Sequence, residues 1–374
     1  MATTVFFDGS VTKTWEGKSV QKCSEMLFEK YTQIIQQRQL ERMEKLDFSK
    51  MLGSGGQGIV YLSQRYGTDG FSLPIAVKIF SPERYETEVA YNHAMQHLAS
   101  VAAAVSSIQH DNLLDVHHWI ESNGIRMMEM EYVDGFDLNE LLRNEMLDHL
   151  KARVSEKRWR HFEEVVVTKG HSHPRLKPGV AIAIAQECLS ALGALHREGI
   201  VHGDIKPSNI MLKRTGNAKI IDIGSAFSLK SPPFKQTCTP TYAAPEVLAS
   251  KEITPLSDLA SLGYLVIEML SGVSPFDSRS NIKDLMEAKY FLAQKLPDIL
   301  PKEVVSNELL MNFCRKLIAP DPAKRFHNAE AANYMQEGAV SFQRQLIRGN
   351  LASEYDNDIR VWLSELEDYK PTKN

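Results

Sequence analysis

The hydrophobic positions of the chain divide it into a strand-rich part and a helix-rich part. Strand-like runs begin at Phe48 and include the apolar segments Leu73–Phe80 and Ile125–Val133, with glycine-rich turns. Residues 89–105 are rich in alanine and have a helical character, and helical spacing dominates from Leu138 onward. The pattern predicts an α+β fold, in which a small β-rich lobe with one main helix precedes a larger helical lobe.

Amphipathic segments flank the two lobes. From about Val20 to Leu46, apolar residues recur at helical spacing, which predicts a helix that packs on the lobe surface or serves dimerisation or regulation. After Met335, an amphipathic tail is predicted either to pack on the large lobe or to pair with a partner or with the first helix. The predicted divisions are an N-terminal helical extension (1–47), the small lobe (48–133), the large lobe (134–337) and a C-terminal helical tail (338–374).

A basic segment lies within the large lobe, at about residues 144–179. Between His149 and Lys177, eight Lys and Arg residues stand against three Glu residues, a local excess of five positive charges. We interpret this segment as a surface insert. It is either a solvated face or, over residues 149–177, a docking surface for an acidic partner.

Composition narrows the class of protein. The 374 residues are 43% hydrophobic and 24% charged with a net charge of −4, which excludes a disordered chain and a general electrostatic grip on nucleic acid. The four cysteines are far apart and include no CxxC pair, so we expect a reducing compartment without disulfides or a zinc site. No apolar run reaches the roughly 20 residues of a membrane span, and the first residues carry no secretory signal. We therefore expect a cytoplasmic protein without a membrane partner, in an oligomeric state that the sequence leaves open.

The first chemical motif is the glycine-rich segment Leu52–Val60. Within it, Gly53, Gly55 and Gly58 satisfy the spacing G-x-G-x-x-G. Glycine permits tight turns and lets backbone N–H groups approach phosphate oxygens closely. Because strands rather than a helix follow, the segment predicts a hairpin over nucleotide phosphates rather than a dinucleotide-binding turn.

Two charged residues stand in apolar surroundings. Lys78 lies within the run Ile75–Ile79, and a buried ammonium there requires an anion. We expect that anion to be a nucleotide phosphate together with a helical glutamate, unless the strand is at an edge. Asp222 ends a short apolar run before Gly224, where it either caps a turn or binds a divalent metal ion.

Among the polar residues of the segment Ile200–Leu212, three have chemistry suited to phosphoryl transfer. A carboxylate at Asp204 can orient and deprotonate a hydroxyl, and the ammonium of Lys206 can neutralise a phosphoryl group in transfer. The amide oxygen of Asn209 can bind Mg²⁺. The combination predicts phosphoryl transfer, with a polar surface turn as the alternative.

In these motifs and their order, the chain from about Phe48 to Met335 resembles the protein kinase superfamily, in its eukaryotic-like (Hanks-type) serine/threonine branch. The resemblance implies a bilobal protein kinase fold. It also implies transfer of the γ-phosphoryl group of ATP to Ser or Thr of a protein substrate, with Mg²⁺ or Mn²⁺ as the metal. In this scheme Asp204, Lys206 and Lys78 act in catalysis, and Asn209 and Asp222 hold the metal.

The resemblance also implies a nucleotide site with the gatekeeper Met130 and a hinge at 131–133. Its members are Gly53, Ser54, Gly55, Gly56, Gln57, Gly58, Val60, Ala76, Lys78, Met130, Glu131 and Val133. Structural anchors are implied at Asp258 and at the pair Glu246 and Arg325. Thr239 matches the threonine that contacts the catalytic Asp and Lys in Ser/Thr kinases, which implies Ser/Thr acceptors.

Two departures from the family pattern matter. Gly203 stands where an arginine often meets an activation-loop phosphate, so activity is predicted not to depend on such a phosphate through this position. The helical glutamate that should pair with Lys78 is the second departure. We predict Glu88, with Glu86 as the next choice and Gln96 as a hydrogen-bonding substitute.

Two other functions remain open at this point. The His-Gly-Asp sequence at 202–204 resembles small-molecule kinases of the aminoglycoside or choline type, but Lys206, Glu246 and Asp258 favour a protein kinase. A nucleotide-binding pseudokinase scaffold is the other alternative. The presence of Lys78, Asp204, Asn209 and Asp222 argues against it.

Overall fold

The computed structural model describes residues 13–14, 25–37, 39–40, 46–233, 237–276, 281–348 and 355–370. Its first part contains β1 (Lys13–Thr14), α1 (Glu25–Gln37), β2 (Gln39–Leu40), β3 (Leu46–Gly55), β4 (Gly58–Tyr66), β5 (Ser72–Phe80), α2 (Glu88–Ser106), β6 (Val116–Ser122) and β7 (Ile125–Glu131). Strands β2 to β7 form a six-stranded antiparallel sheet in the order β2-β3-β4-β5-β7-β6. The sheet and α2 form the small lobe.

The helix α2 begins at a threonine cap and packs by one apolar face. The Thr87 hydroxyl accepts a hydrogen bond from Ala90 N at 3.1 Å, which satisfies one of the free N–H groups of the first turn. Tyr91, Met95 and Leu98 recur at helical spacing and are buried, and α2 contacts β6. The inward face of α2 is therefore apolar.

The N-terminal helix is shorter than its sequence pattern predicts. It ends at Gln37, and the prediction of a helix as far as Leu46 is wrong because Leu40 and Leu46 pair with each other in β2 and β3. Tyr31 and Ile34 are buried, and α1 contacts β7, so the helix packs on the small lobe. Both paired residues fall within the segment that the pattern assigned to the helix, so apolar spacing alone did not distinguish the end of a helix from a short pair of antiparallel strands.

The second part of the chain is mostly helical. It begins with β8 (Gly135–Asp137), α3 (Leu138–Leu141), α4 (Asn144–Arg153), α5 (Glu156–Val165), β9 (Val167–Thr168), β10 (Arg175–Leu176) and α6 (Pro178–Arg197). It continues with β11 (Ile200–Val201), a 3-10 turn (Pro207–Asn209), β12 (Ile210–Lys213), β13 (Ala218–Ile220), β14 (Phe227–Ser228), β15 (Thr237–Cys238), α7 (Pro245–Leu248) and α8 (Pro255–Ser271). It ends with α9 (Ile282–Ile299), α10 (Lys302–Val305), α11 (Glu308–Leu317), a 3-10 turn (Pro322–Lys324), α12 (Ala329–Tyr334), α13 (Ala339–Arg348) and α14 (Tyr355–Ser364).

The core of the large lobe is formed by α6 and α8. Both helices are apolar on nearly all sides and are buried along most of their length, and they contact each other. Among the described residues, α6 is also the one helix long and apolar enough to cross a membrane. Its side chains are instead covered by α8, α12 and α13, as expected of a core helix.

The helices of the tail pack on this core. Both α13 and α14 contact α6, and Trp362 and Leu363 are fully buried. A Cβ atom at Gly179 would lie 2.1 Å from the ring of Tyr355, so glycine lets the tail approach α6 closely. Packing on the large lobe, one of the two arrangements predicted for the tail, is the one observed.

The basic segment binds acidic groups of its own chain. Arg153 forms an ion pair with Asp368 at 2.6 Å, and Arg158 forms one with Glu365 at 2.8 Å, both with the tail. In addition, Arg175 pairs with Glu303 at 2.6 Å. Several of the cations that suggested an external acidic partner are thus paired within the chain.

Candidate active site

A tight hairpin connects β3 and β4. Gly55 pairs with Gly58, which leaves Gly56 and Gln57 as a two-residue turn. Gly58 has a φ of +140°, and a Cβ atom there would lie 1.9 Å from the carbonyl oxygen of Ile79. Only glycine therefore lets the hairpin fold this closely onto β5. At Gly53 a Cβ atom would meet nothing within 4 Å, so space remains beside the hairpin.

Lys78 is buried in the centre of the sheet. It lies on β5 opposite Val60 of β4 and Met128 of β7, with a relative exposure of 5%. Its Nζ donates to Oδ1 of Asp222 at 2.7 Å and to Oε1 of Gln57 at 2.8 Å. Asp222 is thus an anion of the kind that this ammonium was predicted to need, and the ion pair connects the small lobe to the large one.

The predicted partner Glu88 does not reach Lys78. Glu88 is exposed in the first turn of α2, where a carboxylate is favoured by the helix dipole. The alternatives Glu86 and Gln96 are exposed as well. The structure thus corrects this assignment, because the face of α2 that turns inward carries apolar side chains.

In the predicted catalytic loop, Lys206 and Asn209 both contact Asp204, whose relative exposure is 5%. Its Oδ1 accepts hydrogen bonds from the hydroxyl of Thr239 at 2.7 Å and from Thr239 N at 3.0 Å. Its Oδ2 lies 2.9 Å from Nζ of Lys206, which also donates to the Thr239 hydroxyl at 2.9 Å. Asn209 Nδ2 donates to the carbonyl oxygen of Asp204 at 2.7 Å.

A buried aspartate on α8 holds the backbone of this loop. Asp258 accepts hydrogen bonds from His202 N at 2.9 Å and from Gly203 N at 2.8 Å. His196 Nε2 lies 2.9 Å from the same carboxylate. Burial alone would raise the pKa of Asp258, but its hydrogen bond and charge interaction with His196 hold that pKa below its usual value. Gly203 has a φ of +76°, which explains a glycine at this position.

The predicted metal ligands lie on adjacent segments. Ile221 N donates to the carbonyl oxygen of Asn209 at 3.0 Å, which places Asp222 beside the end of the catalytic loop. The Oδ1 atom of Asp222 also accepts from Gly224 N at 2.8 Å. Burial works to raise the pKa of Asp222, but Lys78 keeps it below its usual range, so this carboxylate stays ionised.

The predicted adenine side of the site lies at the end of β7. Ala76 of β5 pairs with Met130 of β7, and both side chains are buried. Val133, just after β7, is buried as well. The side chain of Glu131 is occupied elsewhere, since it accepts a hydrogen bond from Asp115 N at 2.7 Å and forms an ion pair with Lys219.

A second buried anchor supports the segment that follows Thr239. Arg325 donates from Nη1 and Nη2 to the two oxygens of Glu246, at 2.6 and 2.8 Å. The hydroxyl of Ser257 donates to Glu246 at 2.8 Å. Desolvation by burial would raise the pKa of Glu246, but Arg325 lowers it, which keeps the pair charged.

Sequence reasoning missed one titratable group near the catalytic loop. Asp137 lies in β8 and pairs with Met211 in β12, the strand that directly follows the 3-10 turn ending at Asn209. Burial raises the pKa of Asp137 to about 7, with a further contribution from Glu140. The sequence signalled only a helix cap, which Asp137 also provides to Glu140 N at 2.8 Å.

Comparison with known proteins supports this arrangement. Residues 46–336 match a family model described as protein kinase domain. The chain is 27% identical over 288 residues to the serine/threonine-protein kinase PrkC of Bacillus subtilis, covering 75% of this chain and 38% of that protein. It is 28% identical over 284 residues to PknD of Mycobacterium tuberculosis, covering 75% of this chain and 37% of that protein. The chain thus spans less than two fifths of these relatives.

A solved structure shows the same fold. The kinase domain of Mycobacterium tuberculosis PknI, crystallised as a cysteine-to-alanine mutant, superposes with a TM-score of 0.52 at 22% identity. The match covers 80% of this chain and 95% of the other. This match, the antiparallel sheet and the helical large lobe confirm the predicted two-lobed protein kinase fold.

Proposed function

The chain belongs to the protein kinase domain family, and we propose that it transfers the γ-phosphoryl group of ATP to Ser or Thr hydroxyls of protein substrates. The observation that carries this proposal is the environment of Asp204. Its carboxylate is held by Thr239 and faces the ammonium of Lys206, while Asn209 fixes its backbone. This is a complete set of groups for positioning a hydroxyl beside a phosphoryl group.

The residues present fit a nucleotide and a divalent cation, which we propose to be Mg²⁺ with Mn²⁺ as a substitute. Asn209 donates through its amide nitrogen, so its amide oxygen faces no described donor, and Asp222 uses only Oδ1. Hard oxygen ligands of this kind are what Mg²⁺ prefers. The open space beside Gly53 and Gly55 leaves room for phosphates along the hairpin.

The chain's own groups would act as follows. Asp204 orients the acceptor hydroxyl and takes its proton, and Lys206 stabilises charge on the group in transfer. Lys78 binds phosphate oxygens by its ammonium, while Asn209 and Asp222 hold the metal. Bound Mg-ATP supplies the phosphoryl group and the charge of the metal.

Location and partners complete the proposal. We propose a reducing, cytoplasmic location because the four cysteines are far apart in sequence and include no CxxC pair. Of these, Cys188, Cys238 and Cys314 are buried. We propose no nucleic-acid or membrane partner. A docking role of the basic segment would fall to cations such as Lys157 that lack an ion pair among the described residues.

The experiment is a transfer assay on the purified chain with Mg²⁺, labelled ATP and a basic acceptor protein. We compare wild type with Asp204→Asn, which keeps the shape of the side chain but cannot accept a proton. Transfer to Ser or Thr that falls at least a hundredfold in the variant supports the proposal. Equal transfer in both proteins contradicts it, and ATP binding without any transfer indicates a scaffold instead.

A further inference from the structure

The partner of Lys78 comes from an unexpected element. Besides Asp222, the hydrogen-bond partner of its Nζ is the amide oxygen of Gln57, at 2.8 Å, from the tip of the glycine-rich hairpin. Of the residues that form α2, Glu88 alone is acidic, and it is exposed. The helix therefore offers Lys78 no carboxylate.

Gln57 is fixed in this position by contacts at both ends. It is 7% exposed, and its backbone oxygen accepts a hydrogen bond from Ser81 N at 3.0 Å. Its Nε2 donates to the hydroxyl of Ser225 at 2.8 Å, and that hydroxyl lies 3.0 Å from the hydroxyl of Thr237. Since Lys78 is a donor, only the amide oxygen can face it, so the network determines the orientation of the amide.

The neighbouring backbone leaves room for this side chain. A Cβ atom at Gly224 would lie 1.9 Å from Oε1 of Gln57 and 2.7 Å from Nζ of Lys78. Any larger residue would displace the amide from the lysine. The glycine that follows Asp222 by two residues thus serves the contact between the hairpin and Lys78.

We infer that Gln57 is the positioning residue of Lys78, in the role for which the sequence suggested a glutamate of α2. This inference rests on the proposed function. An amide oxygen orients the ammonium by a charge-assisted hydrogen bond without adding a second negative charge beside the one of Asp222.

The first test measures the contact itself in nucleotide-free protein. Wild type, Gln57→Met and Gln96→Ala are treated briefly with acetic anhydride, and acetylation of Lys78 is measured by peptide mass spectrometry. Methionine keeps the length of the side chain but cannot accept a strong hydrogen bond, whereas Gln96 is an exposed glutamine of α2. We expect Lys78 to react at least threefold faster in Gln57→Met only. Equal rates in all three proteins would overturn the inference.

The second test measures function. Calorimetry with Mg-ADP and steady-state kinetics are applied to the same proteins and to Gln57→Glu, whose carboxylate can again accept from Lys78. In Gln57→Met we expect about a tenfold rise in both the dissociation constant for Mg-ADP and KM for ATP, the order of effect of one hydrogen bond to a charged group. KM for the acceptor protein should stay within twofold, and Gln57→Glu should recover at least half of the loss.

The outcomes separate the two proposals. If Gln57→Met binds Mg-ADP as tightly as wild type or more tightly, and its thermal unfolding midpoint is unchanged, the inference is overturned. The amide would then contribute nothing to the position of Lys78, or it would occupy space that the nucleotide needs. A wild-type protein that binds no Mg-ADP would instead contradict the proposed function. The acetylation result would still report on the contact between Gln57 and Lys78.

Discussion

Lys289 donates a hydrogen bond from Nζ to the carbonyl oxygen of Thr241, at 2.5 Å, from a fully buried position on α9. The same amino group lies 3.9 Å from the ring centroid of Phe276 and 4.0 Å from that of Tyr264, and burial lowers the pKa of Lys289 well below its usual value. A buried lysine between two aromatic rings thus holds the segment that begins at Thr239, the residue bound to Asp204.

Replacing Lys289 by methionine should therefore disturb acceptor binding more than nucleotide binding. Lys289→Met keeps the apolar stem but removes the hydrogen bond to Thr241. We expect KM for the acceptor protein to rise about three- to tenfold, the effect of losing one hydrogen bond of this kind. KM for ATP should change less than twofold. Lys295→Met, an exposed change on the same helix, is the control, and equal effects of both variants would contradict the prediction.

The contact of Asp258 with the catalytic loop gives a second prediction. The Asp258 carboxylate now accepts from His202 N and Gly203 N and contacts His196. In Asp258→Asn an NH₂ group replaces one carboxylate oxygen, so at least one of these groups loses its acceptor. We expect the free energy of unfolding to fall by about 2–4 kcal/mol, with a lower kcat, as measured by denaturant titration and transfer assays. Asp298→Asn, at an exposed site, should change neither quantity.

The buried pair of Glu246 and Arg325 can be tested by a double-mutant cycle. Arg325→Met leaves an unpaired buried carboxylate and should lower the free energy of unfolding by about 3–5 kcal/mol. Adding Glu246→Gln removes that charge, so the double variant should be more stable than Arg325→Met. If the two substitutions were simply additive in denaturant unfolding, the pair would not be coupled.

The raised pKa of Asp137, about 7, predicts a pH dependence of stability. Below about pH 4 the carboxyl is protonated in both states, whereas between about pH 4 and 7 the folded state alone retains the proton. The stability that this group contributes is therefore lost as the pH rises towards 7. We expect Asp137→Asn, which still caps α3, to gain about 1–3 kcal/mol relative to wild type between pH 5 and pH 8.

The measurement for Asp137 is denaturant unfolding at several pH values. Asp148→Asn, an exposed carboxylate on α4, serves as the control and should follow the wild-type profile. Parallel curves for wild type and Asp137→Asn across this range would show that Asp137 titrates normally.

Local patterns predicted most of the elements that form the site. The glycine spacing at 53–58 predicted a hairpin, the apolar run around Lys78 predicted a buried strand, and the two lobes follow each other in the expected order. The failures were of one kind. The helix predicted as far as Leu46 ends at Gln37, and Glu88 does not meet Lys78, because strand pairing and the packing of the apolar face of α2 decide these features, and neither can be read from spacing along the chain.

The sequence by itself determined which chemistry is present: an ammonium in an apolar strand, the carboxylate, ammonium and amide of the catalytic loop, and Asp222 before a glycine. Spacing along the chain sets these because each motif is local. Only the tertiary structure decided the partners. Gln57 rather than a helical glutamate meets Lys78, and the tail's own acids meet the basic segment. The physical reason is that burial selects, among groups far apart in sequence, those whose polar atoms can satisfy one another at the distance of a hydrogen bond.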